Sequence, residues 1–79
     1  MIPYHLKDEE SCKKLVQICE KYKDDFNVDV LLGRQTIDGR SILGVFALAG
    51  NIVSLNVSNK DSEAYKEFRN EIKKIGGME

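Results

Sequence analysis

Residues 26–57 read FNVDVLLGRQTIDGRSILGVFALAGNIVSLNV and carry only four charged side chains, Asp29, Arg34, Asp38 and Arg40. Within this stretch Val28, Val30 and Leu32 alternate with Asn27, Asp29 and Leu31, the period of a strand with one buried face. Gly33-Arg34 supplies a tight turn. Gln35 to Asp38 returns as the second arm of a hairpin, with Ile37 pointing inward, and Gly39-Arg40 breaks it. Ser41 is a good N-cap for a short helix over Ile42–Ala49, which Gly50-Asn51 ends. Val53, Leu55 and Val57 then alternate with Ser54 and Asn56 in a further strand.

The flanks have the opposite character. Residues 7–25 hold eleven charged side chains and residues 58–79 hold ten. Cys12, Leu15, Val16, Cys19 and Tyr22 recur at steps of three and four, one face of a helix from about Glu9 to Lys23. Asp8 is its natural N-cap, and Glu9 and Glu10 suit the positive end of its dipole. Ser58 to Asp61 form a turn and cap cluster. Tyr65, Phe68, Ile72 and Ile75 mark a last helix that stops at Gly76-Gly77. Ahead of all this, Ile2, Tyr4 and Leu6 alternate around Pro3 and His5 as a short strand. The element order is βαββαβα. It predicts an α+β, open-faced two-layer sandwich: a four-stranded antiparallel sheet with three helices on one face.

Composition narrows the functional classes. The 79 residues make a single domain over 1–79, too small to enclose a cofactor between two lobes. Twelve basic against thirteen acidic residues give a net charge of −1, so the global basic field of a nucleic-acid binder is missing. No apolar run is long enough to span a membrane. The N-terminus lacks the basic and apolar regions of a secretory signal, so a cytoplasmic location is expected. Cys12 and Cys19 lie about 10 Å apart along a helix, too far for a disulfide, and read as small buried hydrophobes. One histidine and no CxxC leave a metal site without ligands. No cofactor is expected.

Most informative is the helix Ile42–Ala49, which is apolar nearly all round. If Val45, Leu48 and Ala49 face inward, Leu43 and Phe46 are left near the surface with Ile42 at the margin. Beside Arg40 and Ser41, that cluster has the makings of a protein-docking patch.

The run Arg40-Ser41-Ile42-Leu43-Gly44-Val45-Phe46-Ala47-Leu48 resembles the regulatory-serine segment of the histidine-containing phosphocarrier family, HPr. The likeness extends through Leu15-Val16-Gln17, Lys21-Tyr22 and Val28-Asp29-Val30 to the last strand and an Asp61–Ile75 helix. It implies the βαββαβα fold already reached from pattern. The family's catalytic signature is missing: its phosphorylatable histidine falls at Asp8 and its arginine at Glu10. His5 sits in the first strand and reads as a strand histidine. An acyl phosphate on Asp8 would be repelled by Glu9 and Glu10, by about 4 kcal/mol per unit pair at 4 Å and an effective dielectric of 20.

The resemblance is to the catabolite-repression branch of HPr, in which the active histidine is absent and the regulatory serine remains. It implies a non-catalytic regulator rather than an enzyme, with Ser41 the phosphoacceptor and Arg40, Ile42, Leu43 and Phe46 the docking surface. The partner it implies is a transcription regulator, a kinase or a component of the sugar phosphotransferase system. Two alternatives stand beside it. One is an atypical phosphocarrier using another acceptor. The other is an HPr-like scaffold turned to different protein binding, including a homodimer through the patch.

Overall fold

Alternation in the sequence becomes a four-stranded antiparallel sheet with strand order β1-β4-β2-β3. The computed structural model describes residues 1–76 as β1 (Ile2–His5), α1 (Glu9–Lys21), β2 (Val28–Leu32), β3 (Gln35–Asp38), α2 (Ile42–Phe46), β4 (Ile52–Val57) and α3 (Ala64–Ile75). The two central strands are the ones whose inward positions are all branched aliphatics: Val28 and Val30 in β2, and Val53, Leu55 and Val57 in β4. Registers place Ile2 opposite Leu55, Val30 opposite both Leu55 and Ile37, and Val28 opposite Val57. Every inward residue therefore meets another across the ladder, which fixes the register against a one-residue slip. The edges suit their position: β1 contains Pro3, and β3 is four residues long and mostly exposed.

All three helices cover the same face. Ile2, Tyr4, Cys12, Leu15, Cys19, Val45, Phe68 and Ile72 join the inward strand residues in one apolar cluster. On the other face Pro3, His5, Asp29, Leu31, Ser54 and Asn56 are only half-buried. The α+β open-faced sandwich expected from the sequence is the fold observed.

Helix α1 starts where the sequence places it. The Asp8 carboxylate accepts the Ser11 backbone N–H at 2.8 Å, which holds this acid below the usual carboxylate range. Tyr4 ties the strand to the helix by donating its hydroxyl to the Ser11 carbonyl at 2.9 Å. Burial pushes that phenol up to about 12, so it remains a donor throughout the physiological range. Cys12 and Cys19 are buried free thiols, as their spacing implied, and burial raises both thiols.

Helix α3 docks through an aromatic cluster. The Phe68 ring meets Phe26 at 5.3 Å and Tyr22 at 5.7 Å, both edge-on, while Tyr22 and Phe26 stack at 5.6 Å. At the rim, Glu71 accepts from Lys21 Nζ at 3.1 Å and from the Tyr22 hydroxyl. The Tyr22 bond is the main reason that Glu71 titrates below its ordinary 4.5. A carboxyl depressed in the folded state adds stability above its unfolded pKa and loses it as pH falls through the folded value. Glu71→Ala is therefore expected to cost about 1 kcal/mol at neutral pH, since the pair is partly exposed. The gap from wild type should close as pH drops below 4.5, which urea melts across that range will read.

The helix boundaries differ from the sequence reading at three places. α1 ends at Lys21 rather than Lys23, because Tyr22 caps it and the chain turns through Asp25 and Phe26, whose N–H groups both bond the Tyr22 carbonyl. α3 begins at Ala64 and not at Asp61, where the resemblance puts its start. Ser62 Oγ accepts the Ala64 N–H at 3.2 Å, while Asp61 is taken up in a turn with Asn59. α2 is the third case: it stops at Phe46, and Ala49, expected to face inward, is exposed. The Gly50 N–H reaches the Leu6 carbonyl at 2.6 Å, and the Leu6 N–H reaches the Asn51 carbonyl at 3.0 Å. Those bonds draw the chain into the β1–β4 pair, and Gly50 absorbs the turn at φ +90°. Of the Gly76-Gly77 stop, Gly76 is seen as the C-cap at φ +131°, and Gly77 lies outside the described residues.

Candidate functional site

The α2 segment is held from below at several points. Val45 is fully buried and Leu48 nearly so. Gly44 lies so close to β3 that an added Cβ would stand 2.6 Å from Ile37 Cγ2. Only a residue without a side chain allows this approach. The hairpin arm and the short helix thus form one packed unit, and Ile37 points inward as expected.

Ser41 opens the helix. Its N–H bonds the Asp38 carbonyl at 3.0 Å, and its Oγ accepts the Gly44 N–H at a long 3.4 Å. Arg40 is set by its own N–H, which donates to Asp38 Oδ1 at 2.9 Å. Its guanidinium is held loosely, with Nε 3.8 Å from Asp38 Oδ1 and Nη1 4.0 Å from Glu20 Oε2. Both distances exceed a hydrogen bond, so the cation can turn toward a stronger acceptor without breaking one.

Above this base stand the apolar side chains. Leu43 is 79% exposed and Ile42 37%. Phe46 is half-buried and leans on the core, so it offers the surface only part of its ring. The sequence reading is met at Leu43 and Ile42 and tempered at Phe46. Arg40, Ser41, Ile42 and Leu43 are four consecutive residues on one unit of the fold.

Asp8 is not part of that group. The N-terminal end of α2, at Arg40, faces Glu20 near the end of α1. Past its C-terminal end, Gly50 bonds Leu6, just ahead of the start of α1. Asp8 and Ser41 therefore sit at opposite ends of α1. The Asp8 carboxylate is already engaged as a helix cap, with Glu9 and Glu10 in the same turn. His5 pairs with Ile52 in the ladder and is half-buried on the face away from the helices. Among the described residues no group of three or more His, Cys, Asp or Glu side chains is placed to hold a metal ion, and no helix is long and apolar enough to cross a membrane.

Some features escaped the sequence reading. Gly44 and Gly39 are sites of close approach that their neighbours in sequence do not announce. Ile52, 53% exposed, opens β4 one residue earlier than the alternation of Val53, Leu55 and Val57 suggests. The cations Lys66, Arg69 and Lys73 meet in one cleft; their i, i+3, i+7 spacing was the available signal.

Comparison with protein-family models, with characterised proteins and with solved structures gives no match.

Proposed function

We propose that this protein is a non-catalytic, HPr-like regulator of carbon metabolism that docks a partner protein through Ile42 and Leu43, with Ser41 as the control point. One observation carries the reading: Leu43 is 79% exposed on a short helix that Val45, two residues on and fully buried, anchors to the core. A large aliphatic side chain presented on so rigid a base contributes little to folding and is well prepared to enter a pocket on another protein. The element order, which is that of the HPr resemblance, supports the same reading.

Ser41 would act as follows. A serine kinase transfers the γ-phosphoryl group of ATP to Ser41 Oγ, with loss of the hydroxyl proton and release of ADP. The new dianion sits one residue from the loosely held Arg40 guanidinium and competes with Asp38 and Glu20 for it. The surface then presents an anion beside two aliphatic side chains. The partner chemistry that fits is an apolar pocket edged by cations, as in a transcription regulator that takes the phosphoprotein as corepressor.

Incubation with an HPr-specific serine kinase and ATP tests this. A single phosphate is expected on Ser41 by mass mapping, and none on Ser41→Ala. If a kinase active on its own HPr leaves Ser41 bare, the reading fails. Leu43→Glu separates docking from folding. We expect its melting temperature to match wild type, because so little of Leu43 is buried. Its affinity for the corepressor-dependent regulator should fall at least about tenfold, in line with losing an apolar anchor at an interface.

A further inference from the structure

Asp38 and Gly39 join β3 to the segment that carries Ser41. Of the six aspartates in the chain, Asp38 is the only one that precedes a glycine. That pairing has its own chemistry. With no Cβ on the following residue, nothing screens its backbone nitrogen from the aspartate carboxyl carbon, and the two can close into a cyclic imide.

Closure needs what the fold withholds. The Gly39 nitrogen must give up its proton, yet that N–H is bonded to the Val28 carbonyl at 2.8 Å. The Asp38 carboxyl must swing back onto residue 39, yet its Oδ1 already accepts the Arg40 N–H at 2.9 Å. The Asp38 carbonyl is held as well, by the Ser41 N–H at 3.0 Å. Gly39 itself is wedged: Cys19 Sγ and the Val28 carbonyl oxygen stand 2.8 and 3.0 Å from where its Cβ would be. These restraints lie at a border of the sheet, where β3 is only four residues long and Asp38 is exposed. Opening such an edge costs less than unfolding the whole domain.

We propose that Asp38 is a site of isoaspartate formation, held in check by the Gly39–Val28 hydrogen bond and released when the junction of β3 and α2 opens. The Gly39 nitrogen attacks the protonated Asp38 carboxyl group. A C–N bond forms, a C–O bond breaks and water leaves. Water then adds to the main-chain carbonyl of the imide and breaks its C–N bond. The chain now runs through the former side chain, one methylene longer, and the former main-chain carbonyl is the free carboxylate. Mass and net charge are unchanged. In the product the two acceptors that hold Arg40 and Ser41 are displaced, and the added methylene has no room beside Cys19. The change therefore strikes the base of the Ile42–Leu43 surface. The chemistry at Asp38 does not rest on the regulatory reading of Ser41.

The full chain, aged at neutral pH and body temperature, is mapped with a protease that cuts before aspartate but not before isoaspartate. In guanidinium chloride the Ile37–Asp38 bond should become resistant, and in heavy-oxygen water residue 38 should carry the label. The native chain should convert at least about tenfold more slowly, because only its opened fraction reacts. Ile37→Ala removes the side chain that meets Gly44 and loosens the junction without touching Asp38 or Gly39. Its conversion should outpace wild type in step with the hydrogen exchange of its Gly39 amide. Asp38→Glu, whose longer acid disfavours the ring, should take up no label at residue 38. Three results would each overturn the proposal: no isoaspartate at residue 38 in the unfolded chain, equal rates in the native and unfolded chains, or an Ile37→Ala rate that does not follow Gly39 exchange.

Discussion

Phe68→Ala is expected to remove about 3–5 kcal/mol of stability, the range for emptying a well-packed aromatic site. The side chain is fully buried and its ring touches Phe26 and Tyr22, so the cavity would open where α3 meets the segment after α1. The surrounding rings, Tyr22 and Phe26, are stacked on each other and cannot collapse into the space without losing that geometry. A domain of 79 residues has a small reserve, so a loss of this size takes most of it. Urea denaturation should show a midpoint near zero, or no cooperative transition at all, with near-ultraviolet dichroism lost before far-ultraviolet. Phe68→Leu keeps most of the volume and should retain a transition. A Phe68→Ala variant within about 1.5 kcal/mol of wild type would mean that this cluster does not anchor α3.

The second large effect is expected at Gly39. A Cβ there would stand 2.8 Å from Cys19 Sγ and 3.0 Å from the Val28 carbonyl oxygen. The Gly39 N–H bonds that same carbonyl at 2.8 Å, so the chain cannot draw back without giving up a buried hydrogen bond. Gly39→Ala should cost about 2–3 kcal/mol through overpacking. The damage falls between β3 and Arg40-Ser41, so the docking surface should loosen together with the fold. Cys19→Ala removes the nearer of the two obstructing atoms. In that background the cost of Gly39→Ala should shrink by about 1 kcal/mol, a coupling that a double-mutant cycle measures directly. Additive costs would mean that the Cys19 sulfur is not what forbids the methyl group.

These two residues also mark where reading the sequence succeeds and where it stops. Phe68 was visible because Tyr65, Phe68, Ile72 and Ile75 repeat with the period of a helix. Val28, Val30, Val53, Leu55 and Val57 were visible because every second residue is a branched aliphatic. Such signals are local, and the sheet followed from them. Gly39 and Gly44 are different. Nothing near them in sequence states that Cys19, Val28 or Ile37 will arrive within 3 Å of a missing Cβ, since those distances belong to the packing of separate elements. The early end of α2 has the same origin. Its composition would carry a helix on to Ala49, but bonds from Gly50 and Asn51 to Leu6, more than forty residues earlier, outweigh that local preference. At the docking surface, Leu43 and Ile42 could be read from a helix with too many apolar faces for one sheet. The partial withdrawal of Phe46 could not, because it depends on how deeply the neighbouring turn sinks at Val45 and Leu48.

Pro3 has a consequence beyond its own strand. It sits in β1, one of the two borders of the sheet, and proline brings no amide hydrogen to offer a newcomer. At the opposite border β3 runs for only four residues, three of them exposed polar ones. Neither margin is a good template for the stacking of chains into fibrils. The molecule can thus display bare aliphatic groups on α2 at high concentration and still resist strand-by-strand aggregation.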